Sequence, residues 1–320
     1  MDKIPGIPDV SLIVPFLNEE ENLADLIIQL NEYADKQDFY IEAIFVDDGS
    51  TDNSVEVLRK TISKTVSAKL INLSKNYGSH AAIRAGIMHA EGKYTMIFSA
   101  DLQEPVSMIG LMYEKSKEGN EIVIARKTNS KESLLARSFS NIYTALVRKY
   151  AVNSYPRGGA NNFLFSKKIR DLLRVNIEAN SSIHMQIMNM GFKRAIVDVT
   201  LNNRNKGKSK WSLSKKIKLF IDSFIAFSYA PIRAISLIGI LMFASGFLYA
   251  LFILITRLTG VIQFDIGFPT LICVLLLGFG LTNLALGVIA EYLWRTLDVA
   301  RGRPVFIIDN VETLHEGTIK

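Results

Sequence analysis

The stretch Thr95-Met96-Ile97-Phe98-Ser99-Ala100-Asp101-Leu102-Gln103-Glu104-Pro105 decides the fold of this chain. Its apolar first half ends abruptly at Ser99, which is typical of a buried strand that delivers polar side chains to a cleft. In an open α/β sheet, ligands bind at the carboxyl ends of the strands. Asp101 and Gln103 stand two apart on an extended segment, so we expect both on one side, where they can share a hard cation. When the stretch is taken alone, a strand followed by a Pro-terminated turn is the preferred explanation, and the rest of the chain has to support a ligand site.

Short apolar runs and helical patterns alternate on both sides of this stretch. Helices are predicted between five apolar strands, at 10–15, 41–46, 69–73, 94–98 and 122–125. This alternation predicts a mostly parallel, doubly wound α/β sheet with a nucleotide at its carboxyl edge. Asn18 is predicted to cap the first helix. No G-x-G-x-x-G motif follows a strand, so a dinucleotide-binding fold has no support.

Two adjacent carboxylates, Asp47 and Asp48, end the second strand and precede a turn at Gly49. A carboxylate accepts hydrogen bonds from an imide N–H or a hydroxyl, so this pair suits a base or a ribose. A capped turn is the alternative, although it does not explain why two like charges are neighbours. The pair therefore adds a second candidate ligand group at the carboxyl edge of the predicted sheet.

The composition indicates that the carboxyl-terminal third of the chain lies in a membrane. Hydrophobic residues make up 49% of the 320 residues, and the mean hydropathy is +0.20. Residues 234–255 and 266–290 contain no charged side chain. Each run exceeds the roughly 20 residues needed to span hydrocarbon. We expect two transmembrane helices, and two buried core helices are the less favoured alternative because neither run has a polar face.

The charged residues indicate partners and orientation. The net charge is +6, and basic residues cluster beside the apolar runs, so anionic lipid and phosphate are expected partners and nucleic acid is not. Between the two runs Arg257 is the single basic residue. The excess of basic residues on the outer sides predicts a multi-pass protein of the inner (cytoplasmic) membrane, with the α/β domain and both termini in the cytoplasm.

These patterns divide the chain into four segments. We predict a cytoplasmic α/β domain over 1–212, a juxtamembrane amphipathic helix over 213–231, a two-helix transmembrane hairpin over 232–292 and a cytoplasmic tail over 293–320. The tail alternates from residue 305 onward in a way that fits a strand or a contact with a partner. Small residues in the hairpin permit close helix packing, so a homo-oligomer is one expected assembly.

In order and spacing, the motifs of this chain resemble those of glycosyltransferase family 2. Within that family the chain is similar to the polyprenyl-phosphate glycosyltransferases related to dolichol-phosphate mannose synthase, in particular the bacterial branch with two spans. The resemblance covers nearly the whole length. It rests on Val14-Pro15-Phe16-Leu17-Asn18-Glu19-Glu20, Val46-Asp47-Asp48-Gly49-Ser50, Asn76-Tyr77-Gly78, Ala100-Asp101-Leu102-Gln103-Glu104-Pro105, Arg204 with Gly207-Lys208-Ser209-Lys210-Trp211, and Arg301-Gly302-Arg303-Pro304 after the paired spans.

The resemblance implies a GT-A fold and inverting transfer of a sugar from a nucleotide-sugar, with a UDP-sugar favoured, to a polyprenyl phosphate such as undecaprenyl phosphate. The product would supply cell-envelope polysaccharide or glycoconjugate modification. Mg²⁺ or Mn²⁺ would be held by Asp101 and Gln103. The implied catalytic residues are Asp101, Asn161 and Arg204. The implied donor-binding residues are Pro15, Asn18, Glu19, Asp47, Asp48, Asn76, Gly78 and Ala100. The implied acceptor-phosphate residues are Arg126, Arg204, Lys208, Ser209 and Lys210.

Two positions depart from the family pattern. Ser99 and Asn161 stand where the family usually has Asp, and both changes remove negative charge near the cation. We therefore expect a lower affinity for the cation, or a site that uses other ligands such as Glu104 and water. One alternative is therefore a non-catalytic membrane scaffold or regulatory protein that keeps the fold. A polysaccharide synthase is less favoured because the chain lacks the Gln-x-x-Arg-Trp motif that such enzymes carry.

Overall fold

The computed structural model describes residues 6–62, 67–127, 144–145, 148–149, 155–156, 160, 162–178, 181–200, 202, 230–259 and 268–314. The chain divides into two compact units, residues 1–223 with 304–320, and residues 224–303. The predicted juxtamembrane helix at 213–231 lies almost entirely outside the described residues. The predicted tail, by contrast, contributes its residues from 304 onward to the first unit.

One mixed sheet forms the centre of the first unit. Within the described residues it has eight strands, β1 (Val10–Phe16), β2 (Ile41–Asp47), β3 (Ser67–Leu73), β4 (Tyr94–Ile97), β5 (Ile122–Lys127), β6 (Asn162–Ser166), β7 (Arg194–Val199) and β8 (Ile308–Leu314). They lie in the order β7-β5-β6-β4-β1-β2-β3-β8. All strands run in one direction except β6 and β8, which are antiparallel to their neighbours. The predicted mostly parallel α/β sheet is confirmed.

Among the described residues of the first unit, six helices with defined bounds connect or flank these strands. They are α1 (Glu20–Asp35), α2 (Ser54–Thr61), α3 (Ser79–His89), α4 (Ser107–Lys117), α5 (Lys167–Val175) and α6 (Ile183–Asn189). Helix α1 buries Leu23, Leu26, Ile27 and Leu30, which recur at the spacing of one helical face. Strand β2 is buried along its whole length, as expected of a central strand covered on both faces.

A buried ion pair stabilises the end of the sheet opposite the carboxyl ends of the parallel strands. Glu42 in β2 is 2% exposed and lies 2.8 Å from the ammonium group of Lys69 in β3. The hydroxyl of Ser11 in β1 donates a hydrogen bond of 2.6 Å to the same carboxylate. Because these partners lie on three neighbouring strands, the network fixes the register of β1, β2 and β3.

The second unit contains two long helices, α7 (Ala230–Thr259) and α8 (Phe268–Ala300). They occupy the sequence in which two membrane spans were predicted. Within the described residues, no helix has both the length and the apolar character needed to cross a membrane. The prediction of two transmembrane helices is therefore not confirmed.

Candidate functional site

Three loops meet at the carboxyl ends of β1, β2 and β3. They are residues 17–20, 47–53 and 74–78, and we call them the edge loops. Asn18 has a φ of +52° and accepts a hydrogen bond of 2.7 Å from the backbone N–H of Thr51 through its side-chain oxygen. The backbone N–H of Asn18 donates to the hydroxyl of Ser50 at 2.9 Å. The first two edge loops are therefore joined by paired hydrogen bonds.

The predicted helix cap at Asn18 is wrong. Helix α1 begins at Glu20, and Glu19 holds the capping position without a side-chain capping hydrogen bond, although its carboxylate accepts a hydrogen bond of 2.7 Å from the side-chain amide of Asn22. The backbone N–H of Glu19 instead donates to the hydroxyl of Ser54 at 2.8 Å, at the start of α2. The amide of Asn18 is used between loops rather than within its own helix, because its left-handed backbone turns it toward Thr51.

Asp48 and Gly49 join the second edge loop to the third. The carboxylate of Asp48 accepts hydrogen bonds from the backbone N–H groups of Tyr77, at 2.7 Å, and Gly78, at 2.9 Å. Gly49 has a φ of +77°, and a Cβ there would lie 2.7 Å from the carbonyl carbon of Lys75. Only a glycine permits both this backbone conformation and this approach. The third edge loop is therefore packed directly on the second.

The two adjacent carboxylates have a structural use that the sequence did not reveal. Asp47 and Asp48 are 5% and 4% exposed, and Asp47 accepts a hydrogen bond of 2.9 Å from the backbone N–H of Ser50. Burial raises the pKa of both carboxyl groups, although these hydrogen bonds oppose the shift. Their described partners are backbone amides and, for Asp47, the side chain of Ser50, so a direct contact with a base or a ribose stays a prediction.

The other predicted donor-binding residues lie around the same edge. Pro15 is half-buried within β1, Asn76 is exposed in the third edge loop, and Gly78 precedes α3 with a φ of +93°. Ala100 is buried, at 5% exposed, just after β4. The structure therefore brings the predicted donor-binding residues together, while their roles stay predictions.

The loop after β4 presents the predicted metal ligands. Burial alternates along it, with Ser99, Asp101 and Gln103 half-buried and the residues between them buried. The segment is a turn, whereas the sequence predicted an extended segment. Leu102 has a φ of +58°, and the backbone N–H of Gln103 donates to Asp101 Oδ1 at 3.2 Å. Asp101 and Gln103 are both partly accessible in this loop.

Glu104 closes this turn from the inside. Its carboxylate is 6% exposed and accepts a hydrogen bond of 2.9 Å from the backbone N–H of Ser99. Burial raises the pKa of Glu104 to about 7. The carboxylate therefore shapes the backbone between Ser99 and Gln103, and the expectation that it replaces a missing metal ligand receives no support from this orientation.

Asp101 and Gln103 suit a cation whose remaining ligands are supplied by the substrate. No group of three or more His, Cys, Asp or Glu side chains in the described part of the chain could hold a metal ion. Asp101 and Gln103 supply a carboxylate and an amide oxygen, which are hard ligands of the kind that Mg²⁺ and Mn²⁺ accept. Mg²⁺ commonly uses one or two carboxylates together with phosphate oxygens and water. The donor set thus suits a cation that binds together with a diphosphate.

The predicted acceptor-phosphate residues lie mostly outside the described residues, as do Asn161 and Arg204 among the predicted catalytic residues. Arg126, which is described, forms two hydrogen bonds with the carboxylate of Asp198, at 2.6 and 2.8 Å. These residues face each other across the paired strands β5 and β7. Arg126 thus has a partner within the sheet, and its role toward a phosphate stays a prediction.

The structure contains a buried polar cluster beside β6 that was not predicted from the sequence. His184 stacks on Phe163 at 5.0 Å between ring centroids and meets the edge of His80 at 5.6 Å. Arg84 is 4% exposed and donates to the backbone oxygen of Ser181 at 2.9 Å. Burial, with the nearby guanidinium, lowers the pKa of His80 to about 4 and that of His184 to about 3, so both rings are neutral at pH 7. The two histidines are far apart in sequence, so no spacing motif could reveal them.

Comparisons with known proteins identify the family of this chain. Residues 11–200 match the family described as Glycosyl transferase family 2. The chain is 34% identical over 299 residues to an uncharacterized glycosyltransferase, YkcC, of Bacillus subtilis (strain 168), covering 93% of this chain and 92% of that protein. It is 30% identical over 313 residues to the undecaprenyl-phosphate 4-deoxy-4-formamido-L-arabinose transferase of Proteus mirabilis (strain HI4320), covering 97% of this chain and 96% of that protein. A mannosyltransferase of Pyrobaculum calidifontis, solved with GDP-Man and Mn²⁺, aligns with a TM-score of 0.41 and 20% identity, over 63% of this chain and 59% of that one.

Proposed function

This chain belongs to glycosyl transferase family 2, and we propose that it transfers a sugar from a nucleoside diphosphate donor to a polyprenyl phosphate, with inversion at the anomeric carbon. The proposal depends mainly on one observation. Asp101 and Gln103 are both half-buried in the loop after β4, and this loop lies at the same edge of the sheet as the three edge loops because β4 is parallel to β1. A nucleoside bound over the edge loops would extend its diphosphate toward these two oxygen ligands.

The transfer requires that the charge on the leaving diphosphate is neutralised and that the acceptor phosphate is placed next to the anomeric carbon. The bond between the anomeric carbon and the donor diphosphate breaks while a phosphate oxygen of the acceptor forms the new bond. A divalent cation held by Asp101 and Gln103 would stabilise the charge that develops on the leaving diphosphate. The acceptor is already an anion and needs little help from a general base. The absence of Asp at positions 99 and 161 is therefore compatible with transfer.

The acceptor follows from the relatives and from the sequence. A relative that spans nearly the whole chain is named as a transferase to undecaprenyl phosphate. In this chain Arg204, Lys208, Ser209 and Lys210 would bind the phosphate, and Arg and Lys are the usual residues for that purpose. Such a lipid-linked sugar would serve modification of the cell envelope. The relatives named as transferases favour an active enzyme over a non-catalytic scaffold.

A membrane location is part of the proposal. Large apolar side chains of α7 and α8 are exposed along much of each helix, for example Leu241 at 60%, Leu248 at 64%, Phe279 at 66% and Leu293 at 64%. Monomeric soluble proteins rarely expose apolar surface on this scale. The uncharged runs at 234–255 and 266–290 support two spans, and the basic residues outside them support a cytoplasmic catalytic domain. A homo-oligomer stays a prediction.

The transfer assay uses the full chain in detergent. Radiolabelled UDP- and GDP-sugars are offered with undecaprenyl phosphate, with and without Mg²⁺ or Mn²⁺. We expect lipid labelling that needs the cation and is lost in Asp101→Ala. Asp38→Ala, which truncates an exposed carboxylate before β2, is the matched control and should keep the activity. Absence of labelling from every donor would contradict the proposed function and favour the scaffold.

A further inference from the structure

The carboxyl-terminal strand β8 extends the sheet beyond β3. It pairs antiparallel with β3 from Leu314, opposite Ala68, to Ile308, opposite Leu73, with a shift in register between Asn72 and Leu73. The sequence analysis left this segment open as a strand or a partner contact. Within the structure its partner is this chain's own sheet, so β3 is not an edge strand.

Two side chains fasten β8 to the first unit. Leu314 is 3% exposed and belongs to the hydrophobic core. The guanidinium of Arg59, in α2, donates two hydrogen bonds to the carboxylate of Glu312, at 3.0 and 2.5 Å. Helix α2 follows directly after the second edge loop. Strand β8 therefore contacts both β3 and α2, the two elements next to the second and third edge loops.

The start of β8 reaches the third edge loop itself. The backbone N–H of Ser74, the first residue of that loop, donates to the carbonyl oxygen of Ile307 at 3.0 Å. The same loop supplies the N–H groups of Tyr77 and Gly78 that bind Asp48. The loop is thus held at its beginning by the residue before β8 and at its end by the second edge loop.

We infer that β8 is a positioning element of the donor site, which sets the third edge loop for nucleotide binding. The inference depends on the proposed function, because it assumes that the edge loops bind the donor. If β8 only covers an edge strand, as many sheets require, its release would lower stability and leave nucleotide affinity alone. If it positions the loop, nucleotide affinity falls when β8 is released.

The test perturbs β8 at two positions in the full chain. Leu314→Asp places a carboxylate in the core, and Leu314→Met is its control of similar volume. Glu312→Lys sets like charges against each other on the surface, and Arg59→Glu combined with Glu312→Lys restores an opposite pair. Amide hydrogen exchange of residues 308–314 and 74–78 reports docking of the strand, and calorimetry reports the Kd for UDP and, in parallel, for GDP.

The expected result is that docking and affinity change together. Leu314→Asp should raise the nucleotide Kd at least about fivefold, or about 1 kcal/mol, with little change in the KM for undecaprenyl phosphate. Glu312→Lys should raise the Kd less, and the charge swap should restore it. If residues 308–314 of either variant lose exchange protection while the nucleotide Kd stays unchanged, the inference is overturned and the proposed function is not affected. Wild-type protein that binds neither nucleotide would overturn the proposed function as well.

Discussion

Replacing Gly49 by Ala tests the packing of the edge loops, because Gly49 meets two separate demands. Its φ is +77°, and an L-residue in that region costs about 1–2 kcal/mol. A Cβ there would lie 2.7 Å from the carbonyl carbon of Lys75 and 2.8 Å from the nitrogen of Asn76. Side-chain rotation cannot relieve a contact with backbone, and overpacking of this kind costs a further ~1–3 kcal/mol. We expect Gly49→Ala to lose about 2–5 kcal/mol of unfolding free energy, the sum of the two terms.

The same substitution should displace the third edge loop and weaken nucleotide binding. We expect the Kd for UDP to rise at least about tenfold, which corresponds to about 1.4 kcal/mol. Gly191→Ala is the matched control, because Gly191 has a φ of +74° but nothing within 4 Å of its added Cβ. It should lose only about 1–2 kcal/mol of stability and keep the wild-type Kd. Chemical denaturation followed by circular dichroism and calorimetric titration supply the two measurements. The reasoning is refuted if the two variants are equally destabilised, or if Gly49→Ala binds UDP like the wild type.

Two further predictions concern stability. The pKa of His184 is about 3 in the folded protein because of burial, so the stability that its neutral ring contributes is complete above pH 6.5 and is lost as the pH falls toward 3. His184→Phe keeps a ring against Phe163 and should flatten the pH dependence of the unfolding free energy between pH 6.5 and 4; an unchanged profile would contradict this assignment. Lys69→Met leaves Glu42 buried without its cation and should cost about 3–5 kcal/mol at pH 7, whereas Lys93→Met, at an exposed pair, should have a much smaller effect. Equal losses in these two variants, measured by chemical denaturation, would show that burial of the pair is unimportant.

The local elements of the fold could be predicted from the sequence because their signals are local. The apolar runs that form β1 to β5 and the helical spacing of Leu23, Leu26, Ile27 and Leu30 are visible in single windows. The direction of the parallel strands follows from the helices between them. The pairing of β8 with β3 could not be predicted, because these strands are separated by most of the chain and no local pattern records their register.

The sequence predicted the position of the candidate site, but it predicted the backbone conformation and the side-chain partners less well. Asp101 and Gln103 lie in the loop after β4 as predicted, but this loop is a turn with a positive φ at Leu102 and not the extended segment that was expected. The inward direction of Glu104 and the partner of Arg126 depend on contacts between distant segments. Asn18 was misassigned because a residue that often caps helices also tolerates left-handed backbone and bonds to a neighbouring loop.

The most direct test of the central claim is the binding of Mn²⁺ measured by electron paramagnetic resonance, with and without UDP or GDP. If Asp101 and Gln103 hold a cation together with the donor diphosphate, wild-type protein should remove free Mn²⁺ far more effectively when the nucleotide is present. Asp101→Ala should lose this linked binding, and Asp38→Ala should keep it. Linked binding of the same strength in Asp101→Ala would contradict the assignment of the loop after β4 as the diphosphate site.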